Sequence, residues 1–145
     1  MDNKETIKGI KHSFMAFRNG IVSDTLRQAG MPYKIIFGLQ LPQISEISRR
    51  CSPDLSLASE LWEDRGIRES RLLACYLFPV DEISREKALD LASSVQTVEE
   101  ADILCFRLLR RLPFAAEIAA KLLESDGPLP VYCGKALKRN LEAMK

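Results

Sequence analysis

Asp102 is the side chain of this sequence whose type and position best suit a chemical role. It lies one helical turn after Val98, at the border of an apolar helical stripe that includes Phe106 and Leu109. An acid in such surroundings is usually explained by a cationic partner from a neighbouring helix or by partial exposure. A carboxylate at such a border can also serve as a catalytic or ligand-facing acid. The residue pattern alone leaves these interpretations open.

Other common catalytic or metal-binding arrangements are not visible in the sequence. His12 is the only histidine among 145 residues, which excludes a His-rich metal site or a triad that needs a second histidine. The four cysteines are widely spaced and form no CxxC pair, a pattern that predicts reduced, buried thiols. They are Cys51, Cys75, Cys105 and Cys133. We therefore expect no metal and no cofactor.

Several basic side chains are candidates for contact with the phosphates of DNA. They are Arg68, Arg110, Lys135, Lys138 and Arg139. The formal net charge is only +1, so a DNA-binding surface must come from basic residues gathered on one face. The segment that ends at Lys145 is the most basic local cluster. Two alternatives stay open: Arg68 and Arg71 can tie helices together by pairing with an acid, and a stripe of mixed charge can be a solvated face.

Residues 1–40 are predicted to form two helices and a connector. Apolar residues from Ile7 to Phe17 recur at spacings of three and four, as on one face of a helix. Gly20 interrupts this pattern, and a second helix through residues 21–29 is predicted to end at Gly30. The stretch 33–41 is apolar enough to be a strand, but no partner strand is visible elsewhere. We therefore interpret it as a connector.

From residue 41 onward, prolines and small polar residues mark helix starts. Each proline precedes an amphipathic run, where its missing N–H costs nothing. These prolines are Pro42, Pro53, Pro113 and Pro130. Ser52, Ser84 and Thr97 are predicted N-caps, and Thr97 with Glu100 matches a capping box. The helix predicted at 68–78 is apolar nearly all round in its second half, which indicates a central position.

This succession of short helices predicts an all-α fold of stacked antiparallel helix pairs. A chain of 145 residues suits one domain, 1–145. We divide it into N-terminal helices and connector (1–40), a repeat core (41–125) and a C-terminal helix (126–145). No apolar run approaches the roughly 20 residues that span a bilayer, and the polar N-terminus is unlike a secretory signal. We expect a cytoplasmic protein that has no membrane partner.

Four segments resemble signatures of the DNA alkylation repair family, the AlkD-like HEAT-repeat proteins. Residues 61–63 (LWE) followed by 67–74 (IRESRLLA) resemble the family's LW and REER-x-LA elements. Residues 41–47 (LPQISEI) resemble its VP-x-LR helix start, and 98–102 (VEEAD) fall where the family carries W-D-x-V-D. Together the segments cover about the middle half of the chain in the family's order.

The resemblance implies a HEAT-like α-α superhelix of stacked antiparallel helix pairs, with a concave basic surface that cradles duplex DNA. Active members of the family remove cationic alkylpurines by N-glycosidic hydrolysis. Asp102 matches their catalytic Asp, whereas Val98 replaces their Trp and offers no π-face for a cation. Their later catalytic Arg has no motif-supported match, although Arg110, Arg111 and Arg139 lie nearby in the sequence.

Two function hypotheses follow. The first is a DNA-binding member of the alkylation repair family that is a weak or an inactive N-glycosylase, so enzymatic activity is left open. The alternative is a non-catalytic HEAT-like scaffold that holds a protein partner on its concave face. Val98, the net charge near zero and a chain shorter than the active relatives motivate this alternative.

Overall fold

Residues 2–145 are described by a computed structural model, and all regular elements in that range are helical. They are nine α-helices and two short 3-10 helices, so the predicted all-α fold class is confirmed. The only β-type pairing among the described residues is one isolated bridge between Ile35 and Ile67. By its contacts the chain divides into two compact units, the first ending at Phe78 and the second spanning Pro79–Lys145. No helix in the described range combines the length and the apolar character needed to cross a membrane.

The first unit is built around its last helix. Its helices are α1 (Asn3–Phe17), α2 (Gly20–Gln28), α3 (Leu41–Arg49), α4 (Leu55–Glu63) and α5 (Arg68–Leu77). Both α3 and α4 pack on α5, and α1 packs on α3 and α4. Nine of the ten α5 residues are buried, including its polar first turn. The predicted central position of this helix is therefore confirmed within its unit.

The second unit is organised around its longest helix. Its helices are α6 (Arg85–Ser93), α7 (Val98–Arg107), α8 (Ala115–Leu123) and α9 (Pro128–Ala143), with 3-10 turns at Val80–Glu82 and Leu109–Arg111. α9 packs on both α7 and α8. The buried side of α8 consists of the four residues that helical spacing predicts: Ala115, Ile118, Ala119 and Leu122.

Most helix boundaries follow local signals in the sequence. Ser84 Oγ accepts a hydrogen bond from the N–H of Lys87, and Thr97 Oγ1 accepts one from Glu100, so both predicted caps are confirmed. Pro42 lies in the first turn of α3, and Gly30 follows α2 with a left-handed φ of 94°. Such short-range signals act within one turn and need no tertiary contact.

Three predicted helix starts are wrong by two residues. Asp54 caps α4, because its Oδ1 accepts a hydrogen bond from the N–H of Leu57 at 2.7 Å. Ser52 therefore lies before the cap. Likewise α8 begins at Ala115 instead of Pro113, and α9 begins at Pro128 instead of Pro130. A proline is acceptable at several positions of the first turn, so its presence alone does not define the first residue.

The connector between α2 and α3 is held by a buried acid of α5. Glu69 is fully buried, and its carboxylate accepts hydrogen bonds from the N–H groups of Phe37, Gly38 and Leu39 at 3.0, 3.1 and 3.3 Å. Gly38 has a φ of 88°, and a Cβ there would collide with the backbone oxygen of Asn19. The apolar stretch before α3 is thus an ordered connector, as predicted, and the Glu69 side chain satisfies three of its backbone N–H groups.

Candidate nucleic-acid interface

Asp102 meets a tyrosine from α9. The Tyr132 hydroxyl donates a hydrogen bond of 2.7 Å to Asp102 Oδ1. Both side chains are partly exposed. A partner from a neighbouring helix is one of the expected explanations for this acid, but the sequence suggested an Arg or Lys. The pairing leaves the carboxylate at the surface of the second unit, where a ligand can reach it.

Arg139 completes a second contact around the same tyrosine. Its Cζ lies 5.9 Å from the centre of the Tyr132 ring, within the range of a cation–π interaction. The hydrogen bond to Asp102 raises the pKa of the Tyr132 hydroxyl, with partial burial adding to the effect and Arg139 opposing it. The hydroxyl therefore stays protonated as a donor, and the carboxylate and the guanidinium are held on one tyrosine.

A second aromatic–arginine pair follows Asp102 along the chain. Phe106, one helical turn further on α7, is 45% exposed. The Cζ of Arg110 lies 3.8 Å from its ring centre, and the Arg110 Nε donates a hydrogen bond of 2.8 Å to the Phe106 carbonyl. Arg107 lies at 5.6 Å from the same ring. The predicted phosphate-contact residue Arg110 is therefore fixed against an exposed ring, close in sequence to Asp102.

The other predicted basic residues of this unit lie on α9. Lys135, Lys138 and Arg139 are all exposed, and their spacings of three and four place them on one side of the helix. Because α7 packs on α9, these residues and the Asp102–Tyr132 pair belong to the same helix pair. We call the following set the α7–α9 cluster: Asp102, Phe106, Arg110, Tyr132, Lys135, Lys138 and Arg139.

Arg68 is placed differently from the other predicted phosphate contacts. It is 4% exposed and belongs to the core of the first unit. Its Nη1 lies 2.7 Å from Glu69 Oε2 and donates a hydrogen bond of 2.8 Å to the Leu39 carbonyl. A guanidinium so buried and so paired is not offered to a phosphate in solution. The structural alternative describes Arg68 better, and we leave it out of the proposed interface.

Val98 occupies an exposed position one turn before Asp102. It is the first residue of α7 and is 48% exposed. Its side chain is therefore not needed in the core of the unit. An exposed valine at this position lacks the aromatic face that the family resemblance assigns to it.

Sequence reasoning missed Tyr132 and gave Phe106 no role of its own. Tyr132 lies three and seven residues before Lys135 and Arg139, so its helical spacing from two predicted basic residues was a usable signal. No local signal pairs it with Asp102, which is 30 residues away. Phe106 lies four residues after Asp102, at the spacing of neighbours on one helix side.

Behind the cluster, α7 and α9 are joined through buried sulfur atoms. The Sγ atoms of Cys105 and Cys133 are 3.5 Å apart, and both residues are fully buried. All four cysteines are free thiols, although Cys51 is only half-buried instead of buried. No group of three His, Cys, Asp or Glu side chains among residues 2–145 is arranged to hold a metal ion.

The helix order and pairing define an all-α protein with a HEAT-like repeat fold. A solved structure with this fold is described as "A new family of proteins related to the HEAT-like repeat DNA glycosylases with affinity for branched DNA structures". It matches with a TM-score of 0.82 and 17% sequence identity, over 97% of this chain and 57% of that chain. The present chain thus spans a little over half the length of that protein.

At this level of identity the likeness establishes the fold alone. The predicted HEAT-like fold is therefore confirmed, while membership of the AlkD-like family stays a prediction. No protein-family model and no curated protein matches the sequence.

Proposed function

We propose that this chain binds DNA through the α7–α9 cluster, with branched DNA as the preferred form and duplex DNA as the weaker one. The observation that carries the proposal is the exposed basic side of α9 together with two aromatic–arginine pairs in the same unit. The fold adds support, since the solved structure that shares it is described as having affinity for branched DNA. Phosphates would meet the cations, and a branch would offer bases to the rings.

The charges of the α7–α9 cluster suit an interface that depends on direct contacts with a few phosphates. The formal net charge of +1 gives no long-range attraction, so affinity depends on the few cations that reach phosphate. Four such contacts would come from Arg110, Lys135, Lys138 and Arg139. Counterion release then predicts a slope of about −3.6 for the logarithm of the binding constant against the logarithm of salt concentration.

For catalysis we propose that glycosylase activity on cationic alkylpurines is weak or absent. Asp102 stands as the acid that would stabilise an oxocarbenium-like sugar and position a water, while Tyr132 orients it through Oδ1. A cationic base also needs an aromatic face beside it, and exposed Val98 supplies none. Binding without efficient hydrolysis is therefore the function that the site supports best.

Fluorescence anisotropy with labelled four-way junction, duplex and single-stranded DNA tests the binding proposal. We expect tightest binding to the junction and a steep loss of affinity with salt. The double variant Lys135→Gln/Lys138→Gln should flatten the salt slope by about 2. The matched control is Lys4→Gln/Lys8→Gln, which removes two exposed charges from α1 and should leave the slope unchanged. Wild-type protein that binds none of the three DNAs would refute the proposal.

Release of alkylpurine from methylated duplex DNA tests the catalytic part. Any release that exceeds the DNA-only background should disappear in Asp102→Asn, which keeps the shape of the side chain and removes its charge. Efficient release by both proteins would show that Asp102 is not the catalytic acid.

One observation favours the protein scaffold as a second candidate. Val98 and Phe106 are large apolar side chains exposed on the same helix as Asp102. An acidic, apolar-tipped protein segment would suit these residues and the α9 cations. Absence of DNA binding, together with a purified partner that loses affinity in Phe106→Ala, would favour this candidate.

A further inference from the structure

Phe106 is an exposed aromatic residue that the core of its unit does not need. The buried side of α7 is already supplied by Ala101, Leu104 and Cys105, all fully buried. Phe106 lies away from this side and is 45% exposed. Removal of a ring in that position should cost the fold little stability. When present, the ring forms an apolar surface beside the Asp102 carboxylate.

Two arginines border this ring, and one of them is fixed in place. The Arg110 guanidinium lies 3.8 Å from the ring centre, and its Nε–H is bonded to the Phe106 carbonyl at 2.8 Å. Arg107 approaches the same ring at 5.6 Å. The hydrogen bond lowers the number of conformations open to Arg110. The end of α7 and the 3-10 turn after it thus present an aromatic ring with a guanidinium lying over one of its faces.

Such a pair has the chemistry of a stacking site for a nucleobase. Unstacked bases are commonly held on aromatic rings or on the planar face of an arginine, and arginine also attracts the adjacent phosphate. Inside a duplex each base is already stacked on both sides and its faces are not available. An unpaired base at a branch, flap or gap has a free face.

We propose that Phe106 and Arg110 form a stacking site for one unpaired nucleobase at an interruption of duplex DNA. This inference rests on the proposed DNA binding and adds the feature that the protein recognises. Lys135, Lys138 and Arg139 hold the flanking phosphates, and the Phe106–Arg110 pair selects DNA that offers an unstacked base. Duplex without an unpaired base engages the cations alone.

Two substrates and three proteins test the site. The substrates are a junction with one unpaired 2-aminopurine at the branch and a fully paired duplex of equal length. 2-Aminopurine loses fluorescence when it stacks. The proteins are wild type, Phe106→Leu, which keeps the apolar character without the ring, and Phe106→Tyr, which keeps the ring. We expect lower 2-aminopurine fluorescence at saturation with wild type and Phe106→Tyr than with Phe106→Leu.

The affinities give a second readout. Phe106→Leu should weaken binding to the unpaired-base junction at least about fivefold, the effect of losing one stacked base. Duplex affinity should change less than about twofold. Arg110→Lys keeps the charge and loses the planar guanidinium, so it should weaken junction binding in the same selective way. If circular dichroism shows that Phe106→Leu is unfolded, the junction and duplex affinities of Arg110→Lys decide whether the stacking site exists.

The outcomes separate this inference from the proposed function. Equal losses on junction and duplex, or equal fluorescence in all three proteins, would overturn the stacking site while leaving DNA binding intact. Wild-type protein that binds neither substrate would remove both.

Discussion

Two charged clusters in this chain use similar residue types in opposite surroundings. On α5, Arg68, Glu69 and Arg71 are all buried, and they pair with one another, with backbone groups or with the Trp62 ring. On α9, Lys135 and Arg139 are exposed. No buried side-chain nitrogen or oxygen lacks a hydrogen-bond partner in the described part of the chain. Charge that is buried and fully paired holds the fold, whereas charge left in water is available to a ligand.

This contrast bears on the motif that carried the family resemblance. The segment 67–74 contains the Arg68-Glu69-Ser70-Arg71 element, and all four of these side chains are buried. Arg71 lies 3.6 Å from the centre of the Trp62 ring and donates a hydrogen bond to the Trp62 carbonyl. The residues of this motif thus pack the core of the first unit. A match to the motif therefore predicts the fold better than it predicts contact with DNA.

The largest expected effect comes from removing the buried acid. Glu69→Ala leaves Arg68 buried without its carboxylate partner and removes the acceptor of three backbone N–H groups. We expect a loss of about 3–5 kcal/mol in the free energy of unfolding, measured by chemical denaturation. Glu117→Ala is the matched control: its carboxylate is 42% exposed and pairs with Arg85, so the loss should stay below about 1 kcal/mol. Similar losses of unfolding free energy in both variants would show that buried and exposed charges contribute equally to the fold, against the contrast drawn above.

The connector that Glu69 holds provides the next test. Gly38 and Gly30 both have left-handed φ values, 88° and 94°. A Cβ at Gly38 meets the backbone of Asn19, whereas a Cβ at Gly30 meets nothing within 4 Å. Gly30→Ala should cost about 1–2 kcal/mol from φ alone. Thermal unfolding should show a clearly larger loss for Gly38→Ala. Equal losses of stability in Gly30→Ala and Gly38→Ala would mean that the backbone around Gly38 can move away from a Cβ without a free-energy cost.

A smaller effect is expected where the acid is partly exposed. Tyr132→Phe removes one hydrogen bond to Asp102 and should lower the free energy of unfolding by about 1 kcal/mol. The pKa of the Tyr132 hydroxyl is raised in the folded protein, so this stabilisation is present at neutral pH and is lost as the pH rises through that pKa.

Ultraviolet titration of wild type minus Tyr132→Phe isolates this hydroxyl from the other two tyrosines. Asp102→Asn should move the transition to lower pH, because it removes the carboxylate that disfavours the phenolate. A transition unaffected by Asp102→Asn would contradict the pairing.

The smallest effect on stability is expected at the exposed cations. Lys135→Gln/Lys138→Gln should change the free energy of unfolding by less than about 0.5 kcal/mol per site, since no buried partner is lost. Chemical denaturation of the same preparation used for DNA binding checks this value. A large loss would show that these lysines stabilise the fold and would weaken the contrast with α5.

Much of the fold was predictable because its signals are local. Helical spacing of apolar residues, the Ser84 and Thr97 caps, Pro42 and Gly30 each act within a turn or two, and the structure agrees with them. The three displaced starts, those of α4, α8 and α9, occur where adjacent residues offer nearly equivalent caps or first-turn positions. Asp102 and the α9 cations were also identifiable from type and spacing.

The amino-acid sequence by itself determined an all-helical chain, the inward side of helices such as α8 and a carboxylate at the edge of an apolar stripe. Only the tertiary structure decided which charges reach solvent. It buried Arg68 against Glu69 and joined Asp102 to Tyr132 across 30 residues. Burial and long-range pairing depend on which helices pack together, and a local pattern of residues carries no information about the partner that will cover it.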